Sequence, residues 1–249
     1  MEKITSRSNP ICLHVKKLGS SKRYREEQGL FLCDGLKLLE EAVNSSMEIE
    51  AVFTSADLPF KLPSETRVYH VQSSLIDSLS PLKNAQGLLF TCRAIKTSDC
   101  DYSNGTHVLL DCIQDPGNVG TIIRSALAFG IESVILSEGC ADIYNPKTIR
   151  AAVGAVFKQS IVNKSLIELL ELKNSGVRFI NTSNDISAVD IKNADLKDAI
   201  IVFGNEGQGV SDDFADLCEE IVKIPLSPNC ESLNVAAAAS IVMYLGRRE

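Results

Sequence analysis

Three loops of this chain carry residue types that could do chemistry, and each follows a run of apolar residues. They are DPGNVGTIIR (115–124), GNEGQGVSDD (204–213) and IPLSPNCESLNVAAAAS (224–240). Arg124 supplies a permanent positive charge with five hydrogen-bond donors, and Glu206 supplies an acid. The glycines of the second loop allow backbone N–H and C=O groups to approach a ligand closely. Together, these features predict one composite site in which a cation, an acid and exposed backbone surround a ligand with an anionic part.

Each feature taken alone has an ordinary structural explanation. Asn118 is expected to cap the helix that carries Arg124, and Ser232 is expected to cap the last helix. A single arginine is typical of a surface ion pair, GNEGQG of a tight turn, and the run Ala236–Ala239 of a packed core helix. The occurrence of all three loops directly after strands is what favours a site.

The elements that must position these loops alternate between strands and helices after residue 106. The predicted strands are HVLLDCI (107–113), SVILS (133–137), VRFINTS (177–183), AIIVFG (199–204) and EIVKIPL (220–226). The predicted helices lie around 119–129, 146–157, 165–174, 211–218 and 232–245. Near-continuous apolar strands between helices predict a parallel sheet covered on both faces. Ligands bind such sheets at the carboxyl ends of the strands, where the three loops begin.

The residues before 96 predict a smaller α/β domain. Its strands are expected at 30–35, 48–55, 66–72 and 87–93, and its helices at 36–44 and 73–80. The polar, turn-rich stretch KTSDCDYSNGT (96–106) is typical of a linker. We therefore expect a domain over residues 1–97 and a second domain over residues 105–249.

Composition and motifs exclude several classes of protein. The 249 residues are 45% hydrophobic and 23% charged, which is typical of a packed globular chain. No apolar run has the length of a membrane span, and the N-terminus lacks a signal-peptide stretch, so we expect a cytoplasmic protein without a membrane partner. The eight cysteines include no C-x-x-C pair, so neither a metal site nor a disulfide framework is expected. The glycine loop is not G-x-G-x-x-G, and no G-x-x-x-x-G-K-[ST] is present.

Positive charge is concentrated at the N-terminus. The first 25 residues carry seven Lys or Arg against one acidic residue, within a chain of net charge −7. Such asymmetry is suited to a local contact with a polyanion, or it is a solvated basic face. The candidate residues for such a contact are Lys16, Lys17, Lys22, Arg23 and Arg25.

The three loops resemble the ordered motifs of the SpoU/TrmH family, RNA ribose 2′-O-methyltransferases of the knotted SPOUT superfamily. The resemblance rests on NVGTIIR (118–124), FGNEGQGV (203–210) and IPLSPNCESLNVAAAAS (224–240), and the segment 5–42 is similar to the family's substrate-binding domain. It implies a C-terminal parallel-sheet domain with a trefoil knot, preceded by a small α/β RNA-binding domain. It also implies S-adenosylmethionine as cofactor and a homodimer. RNA is then the polyanion that Lys16, Lys17, Lys22, Arg23 and Arg25 are expected to bind.

The resemblance assigns roles to individual residues. The implied catalytic residues are Arg124, Asn118, Glu206, Ser232 and Asn234. The implied cofactor-binding residues are Gly204, Ile224, Leu226 and Leu233. One departure is Pro228, which stands where the family commonly has glycine.

The implied reaction is methylation of a ribose 2′-hydroxyl, in ribosomal RNA rather than transfer RNA. A guanidinium is a poor general base, so we expect Arg124 to grip a phosphate and to stabilise the developing alkoxide. Transfer RNA stays open as the substrate. A non-catalytic RNA-binding protein of the same fold is a second alternative, and a nucleotide-dependent oxidoreductase is a third, disfavoured by the late position of the glycine loop.

Overall fold

A computed structural model describes residues 2–95 and 100–247 and divides them into two compact units. The first unit holds residues 2–95 together with a segment from further along the chain, 142–158. The second unit holds residues 100–141 and 159–247. The segment 142–158 thus belongs to the first unit, although its position in the sequence lies beyond the expected linker.

The first unit is built on a five-stranded mixed sheet. Its strands are β1 (Glu2–Ile4), β2 (Leu30–Asp34), β3 (Ile49–Thr54), β4 (Arg67–Val71) and β5 (Leu88–Arg93), and they lie in the order β1-β4-β3-β5-β2. Its helices are α1 (Pro10–Ser20), α2 (Lys22–Gln28), α3 (Leu36–Asn44), α4 (Ser73–Leu79) and, from the segment 142–158, α6 (Pro146–Ala152) with a 3-10 turn at Ala155–Phe157. Apolar residues of α1, α4 and the sheet form one buried core, so this part is the small α/β unit that was expected.

A buried ion pair holds the segment 142–158 in the first unit. Arg25 is only 5% exposed; its Nε donates to Asp142 Oδ2 at 2.9 Å, and its Nη1 donates to the carbonyl of Leu18 at 2.6 Å. Beside this pair, the ring of Tyr144 stacks on Phe31 at 4.4 Å. Arg25 was expected to bind RNA, and that assignment is corrected here, because a buried guanidinium that is already paired cannot contact a phosphate.

The second unit is built on a seven-stranded sheet in which every pairing of strands is parallel. The strands are β6 (His107–Leu110), β7 (Ser133–Leu136), β8 (Ser160–Asn163), β9 (Arg178–Thr182), β10 (Val189–Asp190), β11 (Ala199–Phe203) and β12 (Glu220–Lys223). The helices are α5 (Pro116–Ala128), α7 (Leu166–Asn174), α8 (Asp212–Ala215) and α9 (Val235–Gly246), with a 3-10 turn at Ile191–Asn193. The predicted parallel sheet is confirmed. None of the helices in the described ranges has the length and apolar character needed to cross a bilayer.

The strand order explains why distant loops meet. The sheet runs β10-β12-β9-β11-β6-β7-β8, so β12, β9, β11 and β6 are consecutive neighbours. Parallel strands end at the same edge, and the loops that follow these four strands therefore open side by side. Three of them are the loops singled out in the sequence, and the fourth follows β9.

Two predicted helix caps are wrong, and the difference changes what the side chains can do. Asp115 caps α5, because Pro116 fits the first helical position; Asn118 therefore lies within the first turn. Asn234, not Ser232, caps α9, and its side-chain oxygen accepts two backbone N–H groups of that helix. The predicted cap at Asn145 is confirmed. The side chain of Asn118 is consequently available for contacts outside its own helix.

Candidate functional site

A cavity of about 680 Å³ opens at the carboxyl edge of the second unit's sheet. The loops after β9, β11 and β12 and the start of α9 form its wall. Gly204, Ile224, Leu226 and Leu233 all line it, so the structure brings together the four residues expected to bind the cofactor. The volume suits a small organic molecule. Across residues 2–95 and 100–247, no three His, Cys, Asp or Glu side chains come together as metal ligands would.

The glycine loop is a tight hairpin whose glycines serve its own backbone. Asn205 and Gly209 exchange two backbone hydrogen bonds of 2.9 Å, and Gly209 has a φ of 75°. A Cβ on Gly204 would lie 2.0 Å from the carbonyl carbon of Gly209, so no other residue fits there. The side chain of Asn205 donates to the carbonyl of Cys112 at 2.8 Å, which ties this hairpin to the first loop.

A chain of side-chain hydrogen bonds joins all three loops. Asn234 Nδ2 donates to Asn118 Oδ1 at 3.0 Å, and Asn118 Nδ2 donates to Glu206 Oε1 at 2.9 Å. The orientation of each amide follows from the one before it: the Asn234 oxygen is occupied by the start of α9, so its nitrogen must donate. Three of the five residues expected to be catalytic are therefore in direct contact.

Glu206 is held as a charged acceptor. Partial burial tends to raise its pKa, but the hydrogen bonds from Asn118 and from backbone N–H groups of the first loop outweigh this effect, and the pKa of Glu206 is lowered from its usual value. The backbone donors are those of Asp115, at 3.4 Å, and Gln114, at 3.5 Å. Glu206 thus fastens the first loop to the glycine hairpin, and it makes no hydrogen bond or ion pair with Arg124.

Arg124 and Ser232 lie outside this chain of hydrogen bonds. Ser232 lines the cavity. Arg124 is exposed on α5, does not line the cavity and has no hydrogen bond or ion pair with any residue in the described part of the chain. Helix α5 packs on α9, where Ser125 Oγ and Ser240 Oγ lie 2.8 Å apart. The guanidinium is therefore free to contact a ligand from outside this chain.

The remaining basic residues expected to bind RNA differ in how free they are. Lys22 and Arg23 each face a glutamate one turn further along α2, at 3.9 and 2.7 Å. Lys16 and Lys17 are exposed on α1, and neither pairs with a carboxylate of the described residues. The ammonium of Lys17 lies 5.4 Å from the centre of the Tyr24 ring. Lys16 and Lys17 are thus the better placed to meet a phosphate.

The comparison with known families decides what this arrangement is. The family described as the SpoU rRNA methylase family matches residues 105–244, which is more than half of the chain. The chain belongs to the SpoU rRNA methylase family. A second family description, the MRM3-like substrate binding domain, matches residues 1–89.

Individual members of this SpoU family resemble the chain along nearly its whole length. The 23S rRNA (guanosine(2553)-2′-O)-methyltransferase RlmP of Bacillus subtilis is 31% identical over 248 residues, which cover 98% of each protein. The crystal structure of an AdoMet-bound rRNA methyltransferase from Sinorhizobium meliloti is 27% identical, with a TM-score of 0.86 and coverage of 98% and 97%. A further crystal structure, described as an RNA 2′-O ribose methyltransferase, is 26% identical, with a TM-score of 0.82 and coverage of 98% and 97%.

One wall of the cavity in this SpoU protein was missed from the sequence. The polar run Asn181–Asn184 begins in the last two residues of β9, continues into the loop after it and lines the cavity. Asn184 Nδ2 donates to the carbonyl of Glu231 at 2.9 Å. The signal was present, because a polar stretch lies at the end of a strand, as in the other three loops. Pro228 does not line the cavity, whereas Ile224 and Leu233 do.

Proposed function

We propose that this protein transfers a methyl group from S-adenosylmethionine to a ribose 2′-hydroxyl of RNA, and that the RNA is ribosomal. The observation that carries the proposal is the cavity lined by Gly204, Ile224 and Leu233 and bordered by the Asn234–Asn118–Glu206 chain, in a member of the SpoU family. Ribosomal RNA is favoured over transfer RNA because the RlmP relative is named for 23S rRNA.

The residues of the cavity fit S-adenosylmethionine, which supplies a methyl group activated by a sulfonium charge. Gly204, Ile224, Leu226 and Leu233 would hold it, through backbone groups and apolar side chains. Glu206 is an ionised carboxylate on the same wall and favours a positively charged ligand.

The protein's own task in the reaction is to position the hydroxyl and to stabilise charge. Arg124 has no partner within the described chain, so its donors are available to a phosphate and to the oxygen that loses its proton. A guanidinium is a poor general base, so Arg124 orients the substrate and stabilises charge instead of abstracting the proton. Asn118 and Glu206 act by fixing the loop from which α5 begins.

We also propose a homodimer, formed through the face of α5 and α9. Exposed apolar side chains support it, namely Leu127, Ile241, Tyr244 and Leu245. Arg124 stands one helical turn before Leu127 and would border this interface. The trefoil knot is proposed from the family resemblance alone, and a cytoplasmic location is proposed from the likeness to the bacterial 23S rRNA methyltransferase RlmP.

We propose that the exposed lysines of α1 bind the RNA substrate. Lys16 and Lys17 would contact RNA phosphates, so the affinity for RNA should fall as salt concentration rises. Replacing both lysines with Met keeps the side-chain length on this exposed face and should reduce that salt dependence. Equal affinity at low and high salt would contradict the role.

The test combines binding and transfer. Calorimetry should detect binding of S-adenosylmethionine, and label from its methyl group should enter ribosomal RNA at a ribose that then resists alkaline cleavage. Arg124→Lys should lose transfer while keeping cofactor affinity, because a point charge cannot replace a bidentate grip. Arg178→Lys, at the opposite edge of the same sheet, is the matched control. Labelling of transfer RNA alone would overturn the substrate, and RNA binding without transfer would favour a non-catalytic RNA-binding protein.

A further inference from the structure

Asn181 is a buried polar side chain without a partner. It is 6% exposed and lies one residue before the end of β9, where it lines the cavity. Its Oδ1 is buried and makes no hydrogen bond. Its Nδ2 likewise has no hydrogen-bond partner among the described residues, but this atom is not fully buried. A half-turn of the carboxamide exchanges the two atoms and brings Oδ1 to the accessible position. A buried carboxamide left unpaired destabilises the folded protein, so a ligand that pairs with it gains more than one that does not.

The neighbours of Asn181 do not share this condition. Thr182 Oγ1 donates to the carbonyl of Val202 at 2.7 Å, and Asn184 donates to the carbonyl of Glu231. Their hydrogen bonds hold the strand end and the mouth of the cavity in place. The unpaired carboxamide is therefore not a general property of this polar run, and it points to a contact that only a ligand completes.

The surroundings of Asn181 indicate which part of a ligand it meets. In the sheet it pairs in register with Val202 of β11 and Ile221 of β12. Side chains alternate between the faces of a sheet, so Asn181 shares its face with Val202. Val210 packs against the core that contains Val202, and both Val210 and Ile191 line the cavity. Apolar side chains suit the face of a heteroaromatic ring, and a carboxamide at its edge offers one donor face and one acceptor. Asparagine pairs with adenine in this way, accepting from its amino group.

We propose that Asn181 selects the adenine of the cofactor by accepting a hydrogen bond from its 6-amino group. The inference rests on the proposed function, because it assumes that the cavity binds an adenosyl compound. It adds a specificity-determining residue to the glycine hairpin and the apolar residues already described.

The test measures the stability of the ligand-free protein and its affinity for ligand, which should change in opposite directions. Asn181→Leu has nearly the same shape without polar atoms, so the melting temperature of the ligand-free protein should rise. The dissociation constant for S-adenosylhomocysteine, measured by calorimetry, should rise about tenfold. Thr91→Val is the matched control, since Thr91 Oγ1 is also buried and unpaired but lies in the first unit. That control should raise the melting temperature and leave the dissociation constant unchanged.

A second ligand identifies the contacting group. The analogue of S-adenosylhomocysteine with hydrogen in place of the 6-amino group should bind wild type about tenfold more weakly, and should bind Asn181→Leu as well as the parent compound does. If Asn181→Leu fails to fold, Asn181→Ser carries the same comparison. Equal losses in wild type and variant would overturn the inference while leaving the proposed function standing. A wild-type protein that binds neither compound would overturn both.

Discussion

The contact between Asn118 and Glu206 gives the sharpest prediction. Asn118→Asp keeps the shape of the side chain and its bond from Asn234, but it places a second carboxylate 2.9 Å from Glu206 Oε1. At that separation two unit charges repel by about 1.4 kcal/mol even at the permittivity of water, and by more where solvent is excluded. We therefore expect a loss of at least about tenfold in affinity for S-adenosylmethionine at pH 7, measured by calorimetry.

A compensating variant separates repulsion from general damage. Combining Asn118→Asp with Glu206→Gln restores one donor and one acceptor with their roles exchanged, so most of the lost affinity should return. Glu206→Gln alone places two amides in contact, and its affinity for S-adenosylmethionine should not exceed that of the double variant. A single Asn118→Asp variant that binds like wild type, or a double variant no better than the single, would refute the account of this contact.

Three further predictions concern the ion pair of Arg25, the reactivity of two cysteines and the ionisation of Glu206. Arg25→Met leaves the carboxylate of Asp142, which is only 12% exposed, without its partner. The free energy of unfolding in urea should therefore fall by about 3–5 kcal/mol, whereas surface substitutions change it by less than about 0.5 kcal/mol. Iodoacetamide at pH 8 should label exposed Cys230 and should not label Cys218, because burial raises the pKa of Cys218 to about 12. S-adenosylmethionine should protect Cys230 from labelling, because the residues that follow Cys230 line the cavity. Mass spectrometry measures both results. The pKa of Glu206 is lowered in the folded protein, so the ionised side chain stabilises the loops around the cavity. This stabilisation is complete above the ordinary glutamate pKa of about 4.3 and is lost as the pH falls through the lower folded value. Equilibrium dialysis should therefore detect a loss of cofactor affinity at acid pH in the wild type and not in Glu206→Gln.

Local pattern was enough to predict most of the second unit's sheet. Strands such as β11, AIIVF, are buried along their whole length and read as continuous apolar runs. The strand β10 was missed because two residues cannot show a periodicity. The strand β8, SIVN, was missed because only its two central residues are apolar. In the first unit, the helix α1 was not predicted. Its buried residues Cys12, Val15 and Leu18 recur every three positions, but the stretch was interpreted from its positive charges alone.

The sequence was sufficient to predict which loops form the candidate site, but it was not sufficient to predict the contacts between their side chains. Loops after neighbouring parallel strands must open together, so one shared site could be predicted from the alternation of strands and helices. The cavity residues Gly204, Ile224 and Leu233 were named from the family resemblance. The two caps were misplaced by two or three residues, because Asp-Pro and Asn each fit a helix start and only packing chooses between neighbouring positions. The fate of Arg25 depends on a carboxylate 117 residues away, which no local pattern contains.

The buried pair between Arg25 and Asp142 also bears on how the protein is made. Synthesis proceeds from the N-terminus, and domains commonly fold as they emerge. Here the first unit includes residues 142–158, so it cannot complete its fold until residue 158 has left the ribosome. By then residues 100–141 of the second unit have also been synthesised, so the first unit does not finish folding before the second has begun to emerge. For the same reason, a truncated product ending at residue 95 would lack α6 against β2 and the counter-ion of Arg25, and would make a poor stand-alone reagent.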